Sequence, residues 1–486
     1  MLLSQLAPNV GFGTSGVRAL VSDLTPPVVW AYTRAFVAHF RSTAQLQAAT
    51  TCVVGWDLRP SSPHIASAVG AALAAEGLSV EWAGQLPTPA LALRCLTLRV
   101  PGIMVTGSHI PFDRNGIKFY TAKGEILKAD EAQIARVDIS GLLPLNAQLI
   151  ADPTPVLKAD QGTPSIALQD YRQRYTSLLP PAALKGLRIG VYQHSAVGRD
   201  FLADLLGRLG ASVVPLDRSD TFVPIDTEAV SATDEARAAQ WCQRHQLHAV
   251  VSTDGDGDRP WVCDEQGHFV RGDILCTLTA MWLGVQTVVT PVSSNTALEK
   301  SGQFTHTQRT RIGSPYVIEA MQTLHAAGHT SVAGFEANGG FLLQTQAKGL
   351  QPLPTRDSTL PILAVLTLSQ ERKLPISALP GLLPPRYTQA DRLQNIPTDQ
   401  SRSLIEHMAA DPARLQAFLA FAGSAFSHLD TTDGLRITLA NQDVVHLRPS
   451  GNAPELRCYT ESGSPSRAHQ LLLQTLATVQ KMILED

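Results

Sequence analysis

Two short stretches of this chain set reactive groups side by side. In Val105-Thr-Gly-Ser-His-Ile-Pro-Phe-Asp-Arg-Asn-Gly-Ile-Lys-Phe-Tyr120, one hydroxyl, Ser108, stands beside one imidazole, His109. Gly107 carries no Cβ and leaves room for a close approach to that hydroxyl, and Arg114 and Lys118 add positive charge. A serine shown this way, with a proton carrier and cations nearby, suits a hydroxyl that carries a phosphoryl group. Taken alone, the stretch reads equally well as a strand, a polar turn and a strand. The second stretch, Asp254-Gly-Asp-Gly-Asp-Arg259, alternates three carboxylates with two glycines. The glycines let the chain turn so that Asp254, Asp256 and Asp258 converge. Oxygen-only ligands at that density suit a hard cation such as Mg2+, and without a cation the three charges repel. The same residues match the first, third and fifth positions of an EF-hand calcium loop, with Glu265 at the twelfth. The sixth position of that loop needs glycine for its sharp turn and here is Arg259, and a β-like run precedes it, which excludes an EF-hand.

Three further loops carry weaker signals. Gly11-Phe-Gly-Thr-Ser-Gly-Val-Arg18 can offer backbone N–H groups and an arginine fork to an anion, or can be an ordinary turn. Glu336 and Asn338, at the tip of Ser331-Val-Ala-Gly-Phe-Glu-Ala-Asn-Gly-Gly-Phe341, could bond neighbouring sugar hydroxyls, or could cap a turn. Arg448-Pro-Ser-Gly-Asn-Ala-Pro-Glu-Leu-Arg457 offers two arginines, a serine and an asparagine to a phosphate that is bound but not broken, or forms a polar β-turn.

The elements around these loops follow from local pattern. The apolar run Gly102–Val105 predicts a buried strand leading into Ser108, and Ile117–Tyr120 the next strand. Cys52–Trp56 predicts a strand ending in Asp57 and Arg59. Ser61, Ser62 and Pro63 then start a helix that runs to Gly77, and the strand Leu78–Trp82 completes a βαβ unit. A helix around Ile166–Leu179, the strand Leu187–Tyr192, the helix Gly198–Leu209, Gly210 and the strand Ala211–Val214 repeat that order. His248–Asp254 predicts the strand that feeds the aspartate loop. A hairpin turning at Gln266-Gly267, a helix after Gly272 and a strand at Thr287–Thr290 open a third segment. The last segment predicts a helical stretch around Ser401–Ala422, strands at Gly434–Leu439 and Val444–Leu447, and a final helix from Ser464. Proline-rich stretches near Gly141–Pro164 and Leu379–Pro397 read as linkers. The expected domains are 1–150, 151–262, 263–385 and 386–486.

A chain of 486 residues is too long for one core and calls for roughly three to four domains. A net charge of −3 argues against a general polyanion binder, which leaves only a local basic pocket. The six cysteines are scattered without a CxxC pair and read as reduced core residues of a cytoplasmic protein. The start has no basic region or apolar core of a signal peptide, and no apolar run nears the about 18 residues of a membrane span.

Together and in this order, the five loops resemble those of the α-D-phosphohexomutase family, over nearly the whole chain. The resemblance rests on Gly13-Thr-Ser-Gly-Val-Arg18, Thr106-Gly-Ser-His109, Asp254–Arg259, the loop at Glu336 and Arg448-Pro-Ser-Gly451. It implies an α/β fold: three tandem related α/β domains with mixed sheets, and a C-terminal TATA-binding-protein-like α+β domain, around a central cleft. It implies that Ser108 is the phosphoserine and binds Mg2+ together with Asp254, Asp256 and Asp258. Arg18 and Arg259 would lie by the transferring phosphoryl, with His109 and Lys118 as proton carriers in an open order. Glu336 and Asn338 would read sugar hydroxyls, and Arg448, Ser450, Gly451 and Asn452 would grip the distal phosphate. The implied reaction interconverts mannose 6-phosphate and mannose 1-phosphate through a hexose 1,6-bisphosphate, which also serves as activator. Glucose phosphates, alone or beside mannose phosphates, are the alternative substrates, with glucosamine phosphate behind them. The implied partners are hexose phosphates, with no nucleic acid and no membrane, in a monomer or weak homodimer. Ile110, Ala19, Asn338 and Asn452-Ala453 depart from the usual family residues and bear on substrate choice more than on chemistry. A phosphatase using water at the aspartates would not need Ser108, and a non-catalytic sensor would leave Ser108 and His109 without a task.

Overall fold

The computed structural model describes residues 1–43, 50–143, 164–228, 230–450 and 454–485, so most of the linker expected near Gly141–Pro164 lies outside the described residues. The chain forms two compact units, Met1–Val285 with Gly313–Leu379, and Gln286–Ile312 with Pro380–Asp486.

In the first unit, Thr51–Trp56 is an apolar run buried along almost its whole length, as a central parallel strand must be. It pairs in parallel with Ser79–Gln85 and with Gly102–Val105. Gly102–Val105 then pairs antiparallel with Arg114–Thr121, so that Val105 faces Ile117 and Met104 faces Lys118. Val17–Leu20 adds a further antiparallel strand, and the mixed sheet has seven strands. One strand end thus delivers Ser108, and the returning strand brings Lys118 back alongside. The helix Ser62–Ala75 starts with proline in its first turn and stops before Gly77, whose φ of +72° only glycine adopts freely. It packs on the sheet so closely at Gly70 that a Cβ there would overlap the Trp82 indole.

The second sheet repeats this order. Arg188–His194 is parallel to Ser212–Arg218 and to Ala249–Thr253, with the helix Arg199–Arg208 between the first two. Ala249–Thr253 then turns back antiparallel into Pro260–Cys263, with Thr253 facing Pro260. The connection between these strands is Asp254–Arg259, so the carboxylates sit in a tight turn at the strand ends. Val332–Phe335, Phe341–Leu343 and Leu353–Asp357 form an antiparallel set, with Glu336 and Asn338 in the loop joining the first two. The helices Gly272–Leu283 and Thr359–Arg372 pack on each other.

In the second unit, Thr287–Pro291 and His306–Thr310 form a parallel pair. A separate five-stranded antiparallel sheet runs in the order Tyr387–Gln394, Glu455–Ser462, Val444–Pro449, Leu435–Leu439 and Phe426–Asp430. Its apolar side chains pack with those of the helices Thr398–Ala410, Pro412–Phe418 and Pro465–Glu485. This is the expected α+β segment, with two corrections. The stretch Leu379–Pro397 is not a linker: it holds a 3-10 turn at Ile376–Leu382 and the full strand Tyr387–Gln394. That strand is an edge strand with mostly polar, solvent-facing residues, so it has no apolar alternation to betray it; backbone pairing with Glu455–Ser462 orders it. The single helical stretch expected over Ser401–Ala422 is two α-helices followed by a 3-10 turn at Leu419–Ala422. Pro412 cannot continue the first, and Asp411 caps the second by accepting from the backbone of Ala413 and Arg414.

All six cysteines are free and buried. Among the described residues, no helix is long and apolar enough to cross a membrane. Gly70→Val should lower the thermal unfolding midpoint, because the added methyls must displace Trp82; overpacking of this kind costs about 1–3 kcal/mol. A calorimetric scan with an unchanged midpoint would contradict the close helix–sheet contact.

Candidate active site

Ser108 sits just past the strand Gly102–Val105 with a left-handed φ of +53°, an uncommon conformation for a residue with a side chain. The turn is held from beneath. Asp57 accepts from Thr106 Oγ1 at 2.7 Å, from the Gly107 amide at 3.2 Å and from Ser62 Oγ at 2.6 Å. The Arg59 guanidinium donates to four backbone carbonyls of the same loop: Ser108 at 3.0 Å, Ile110 at 2.5 Å, Pro111 at 2.7 Å and Arg114 at 2.8 Å. Phe222 covers that guanidinium with its ring centroid at 4.0 Å. Glycine at 107 is required here, since a Cβ would lie 2.5 Å from Arg59 Cζ. So fixed, Ser108 Oγ donates to Asp254 Oδ2 at 2.7 Å and is 3.4 Å from His109 Nδ1.

Asp254, Asp256 and Asp258 are all buried, and one oxygen of each lies within 4.8 Å of the others. Asp254 Oδ1 also accepts from the amides of Asp258 and Arg259 at 3.2 and 3.1 Å. Asp256 Oδ2 accepts from Thr88 Oγ1 at 2.7 Å, at the start of the helix Thr88–Leu98, where the helix dipole favours a carboxylate. Lys118 Nζ bridges Asp256 and Asp258 at 2.6 and 2.7 Å. Asp256 Oδ1 and Asp258 Oδ1 accept no hydrogen bond among the described residues. Two buried, open carboxylate oxygens beside a third carboxylate, with no sulfur or imidazole donor in the group, fit a hard divalent cation.

Cations surround this turn. Burial opposes the Lys118 charge most, but Asp256 and Asp258 together outweigh it and keep the ammonium protonated. Arg259 donates to His109 Nδ1 at 2.9 Å; its charge foremost, then burial and Arg18, hold the imidazole far below its ordinary range and neutral. Arg18 is half-buried; desolvation, with repulsion from Arg259 and Arg356, brings it down to about 10. Glu336 is bound by Arg356 NH1 at 3.1 Å, and Asn338 Oδ1 accepts from the Gly340 amide at 3.1 Å. The first unit therefore brings together Ser108, His109, Lys118, Arg259 and the three aspartates in one bonded cluster. Glu336 joins it through Arg356, which also meets Asp258 Oδ2 at 2.9 Å.

In the second unit, Arg448 Nε lies 3.0 Å from Asp433 Oδ2, and the Ser450 amide donates to the Glu455 carbonyl at 2.8 Å. Both line a pocket of about 400 Å3 that Arg311 and Arg402 also line. Four such groups can hold a phosphate. Gly451 and Asn452 lie outside the described residues.

Sequence reasoning assigned no role to Asp57, Arg59, Thr88 or Arg356. Asp57 and Arg59 ended a recognised strand, which was a usable signal. Thr88 and Arg356 carried none, because their partners are remote in sequence.

Residues 9–137, 169–267 and 271–387 match the α/β/α domains I, II and III described for phosphoglucomutase/phosphomannomutase, and residues 394–477 match its C-terminal domain. The chain is 45% identical to a phosphomannomutase of Salmonella muenchen, covering 98% of this chain and 96% of that protein. It is 42% identical to a phosphomannomutase of Sinorhizobium fredii, covering 96% and 98%. A solved phosphoglucomutase/phosphomannomutase family protein from Burkholderia thailandensis shares the fold, with a TM-score of 0.73 at 20% identity over 96% of each chain. With all four domains matched in order and full-length relatives at these identities, the chain belongs to the phosphoglucomutase/phosphomannomutase family.

Proposed function

We propose that this protein is a phosphomannomutase that interconverts mannose 6-phosphate and mannose 1-phosphate through a phosphoserine at Ser108. The observation that carries the reading is the hydrogen bond from a buried serine Oγ to Asp254, in a turn shared with a triad of carboxylates. A phosphatase that used water at the aspartates would have no use for a serine held there.

In the first half-reaction, the Ser108 Oγ–P bond breaks as a sugar hydroxyl oxygen bonds to phosphorus. The hydroxyl proton passes to a base and the serine oxygen regains a proton from an acid; neutral His109 and the Lys118 ammonium are the carriers at hand. The product is hexose 1,6-bisphosphate. It turns over and returns its other phosphoryl group to Ser108, since the reaction has one nucleophile. Mg2+ bound by Asp254, Asp256, Asp258 and the phosphoserine oxygen would neutralise the phosphoryl oxygens, which is the main demand of phosphoryl transfer. Arg18 and Arg259 add positive charge on the same side, and burial of the cluster keeps water from the phosphoserine. Glu336 and Asn338 read the sugar hydroxyls. Arg448, Ser450, Gly451 and Asn452 hold the phosphate that is not in transfer. Hexose 1,6-bisphosphate serves as activator by rephosphorylating an enzyme that has lost its phosphate. The four domains are taken as 1–150, 151–262, 263–385 and 386–486. Six free, buried cysteines support a reducing compartment such as the cytoplasm.

Ser108→Ala should fold and lose nearly all mutase activity, and intact-mass analysis should find one phosphate on the wild type and none on the variant. Equal turnover by the two proteins would remove Ser108 from the mechanism. Excess chelator should abolish activity, and Mg2+ should restore it; full activity in chelator would refute the metal role. Arg448→Lys keeps the charge but loses the fork. Loss of a charge-assisted bond of about 1.5–3 kcal/mol should raise KM about tenfold to a hundredfold and increase the bisphosphate released per turnover. Unchanged values of both would take the distal phosphate away from this loop.

A further inference from the structure

We propose that Arg356 is a positioning residue of the reaction, a single guanidinium that ties Asp258 of the cation-binding turn to Glu336 of the sugar-recognition loop. The inference rests on the mutase reading and adds to it a link between its two binding loops. Arg356 is almost wholly buried and divides its fork between two carboxylates, NH2 on Asp258 Oδ2 at 2.9 Å and NH1 on Glu336 Oε2 at 3.1 Å. A planar fork can serve two acceptors in fixed directions, whereas an ammonium acts as a point charge.

The surroundings are built for that placement. Gly340 leaves the space that the arginine stem fills: a Cβ there would lie 2.7 Å from Arg356 Cγ and 2.8 Å from Cδ. The next residue, Asp357, is anchored by Tyr171 at 2.6 Å, by Tyr175 and by the Thr359 amide at 3.0 Å, which fixes the strand end from which Arg356 projects. Asp258 Oδ2 is shared with Lys118, so Arg356 takes part in the charge balance of the triad as well as in the aim of Glu336.

This arrangement gives opposite signs for the two ligands. Without the guanidinium, Glu336 loses the partner that aims it at the sugar, so hexose phosphate binds less well. One positive charge also leaves Asp258, so a divalent cation binds the free enzyme more tightly. A merely structural role would weaken both, or neither.

The test is calorimetric titration of the full-length protein with MgCl2 and, separately, with mannose 1-phosphate, alongside steady-state kinetics. Arg356→Met should weaken mannose 1-phosphate binding about tenfold or more and tighten Mg2+ by about threefold or more. Arg356→Lys should leave the Mg2+ affinity near that of the wild type while sugar binding stays weak, with the loss in KM more than in kcat. Gly340→Ala keeps the charge and crowds the stem, so it should weaken sugar binding without tightening Mg2+; it also serves if the Arg356 variants do not fold. Wild-type affinities for both ligands in Arg356→Met, or weakened Mg2+ in a folded variant, would overturn the proposal. Wild-type protein without mutase activity would instead defeat the mutase reading, and the two titrations would still decide whether Arg356 links the loops.

Discussion

Asp254, Asp256 and Asp258 lie in one six-residue connection with their carboxylates out of solvent. Three negative charges in that space are tolerable only with positive partners, because removing one partner of a buried ion pair costs about 3–5 kcal/mol. Much of the first unit answers this demand. Lys118 arrives on the strand after the serine turn, Arg356 on the last strand of the antiparallel set, and Thr88 on a helix start aimed at Asp256. The open oxygens that remain are those a cation would take. The charge balance that lets the turn fold also leaves it able to hold a metal.

The serine turn meets a different demand. Its carbonyls cannot all pair within so tight a turn, and buried backbone groups require partners. Arg59 supplies five-fold donor capacity from one side chain, and Asp57 ties down the amide and hydroxyl that precede Ser108. A left-handed residue with a side chain costs of order 1–3 kcal/mol, and this net of bonds over-determines it. The strain aims Oγ at Asp254, so the serine hydroxyl and the carboxylate cluster are set by the same contacts.

In the second unit the same economy recurs on a smaller scale. Asp433 accepts from the Ile312 amide at 2.9 Å and pairs with Arg448, so one carboxylate orients the guanidinium that lines the pocket with Arg311 and Arg402. Gly434, at φ +87°, lets the preceding turn pass under Arg448, where a Cβ would collide with the Leu447 carbonyl.

The alternating Asp-Gly turn, the Thr-Gly-Ser-His turn and the strand–helix–Gly–strand order were legible in the sequence because each depends on neighbours a few residues apart. Glycine spacing, apolar runs and helix-start residues report local backbone geometry directly. The strand Tyr387–Gln394 was not legible, since its order comes from pairing with a strand more than sixty residues later rather than from its own side chains. The same holds for Arg59, which serves a turn 49 residues away, and for Thr88, which bonds Asp256 across 168 residues. Arg356 meets Asp258 across the sheets with no motif around it. The sequence by itself determined which polar and charged residues stand together in one turn and which strands lead into those turns. Only the tertiary structure decided which charges neutralise which, because a buried charge takes whatever partner the packed fold brings within reach, and that distance has no period along the chain.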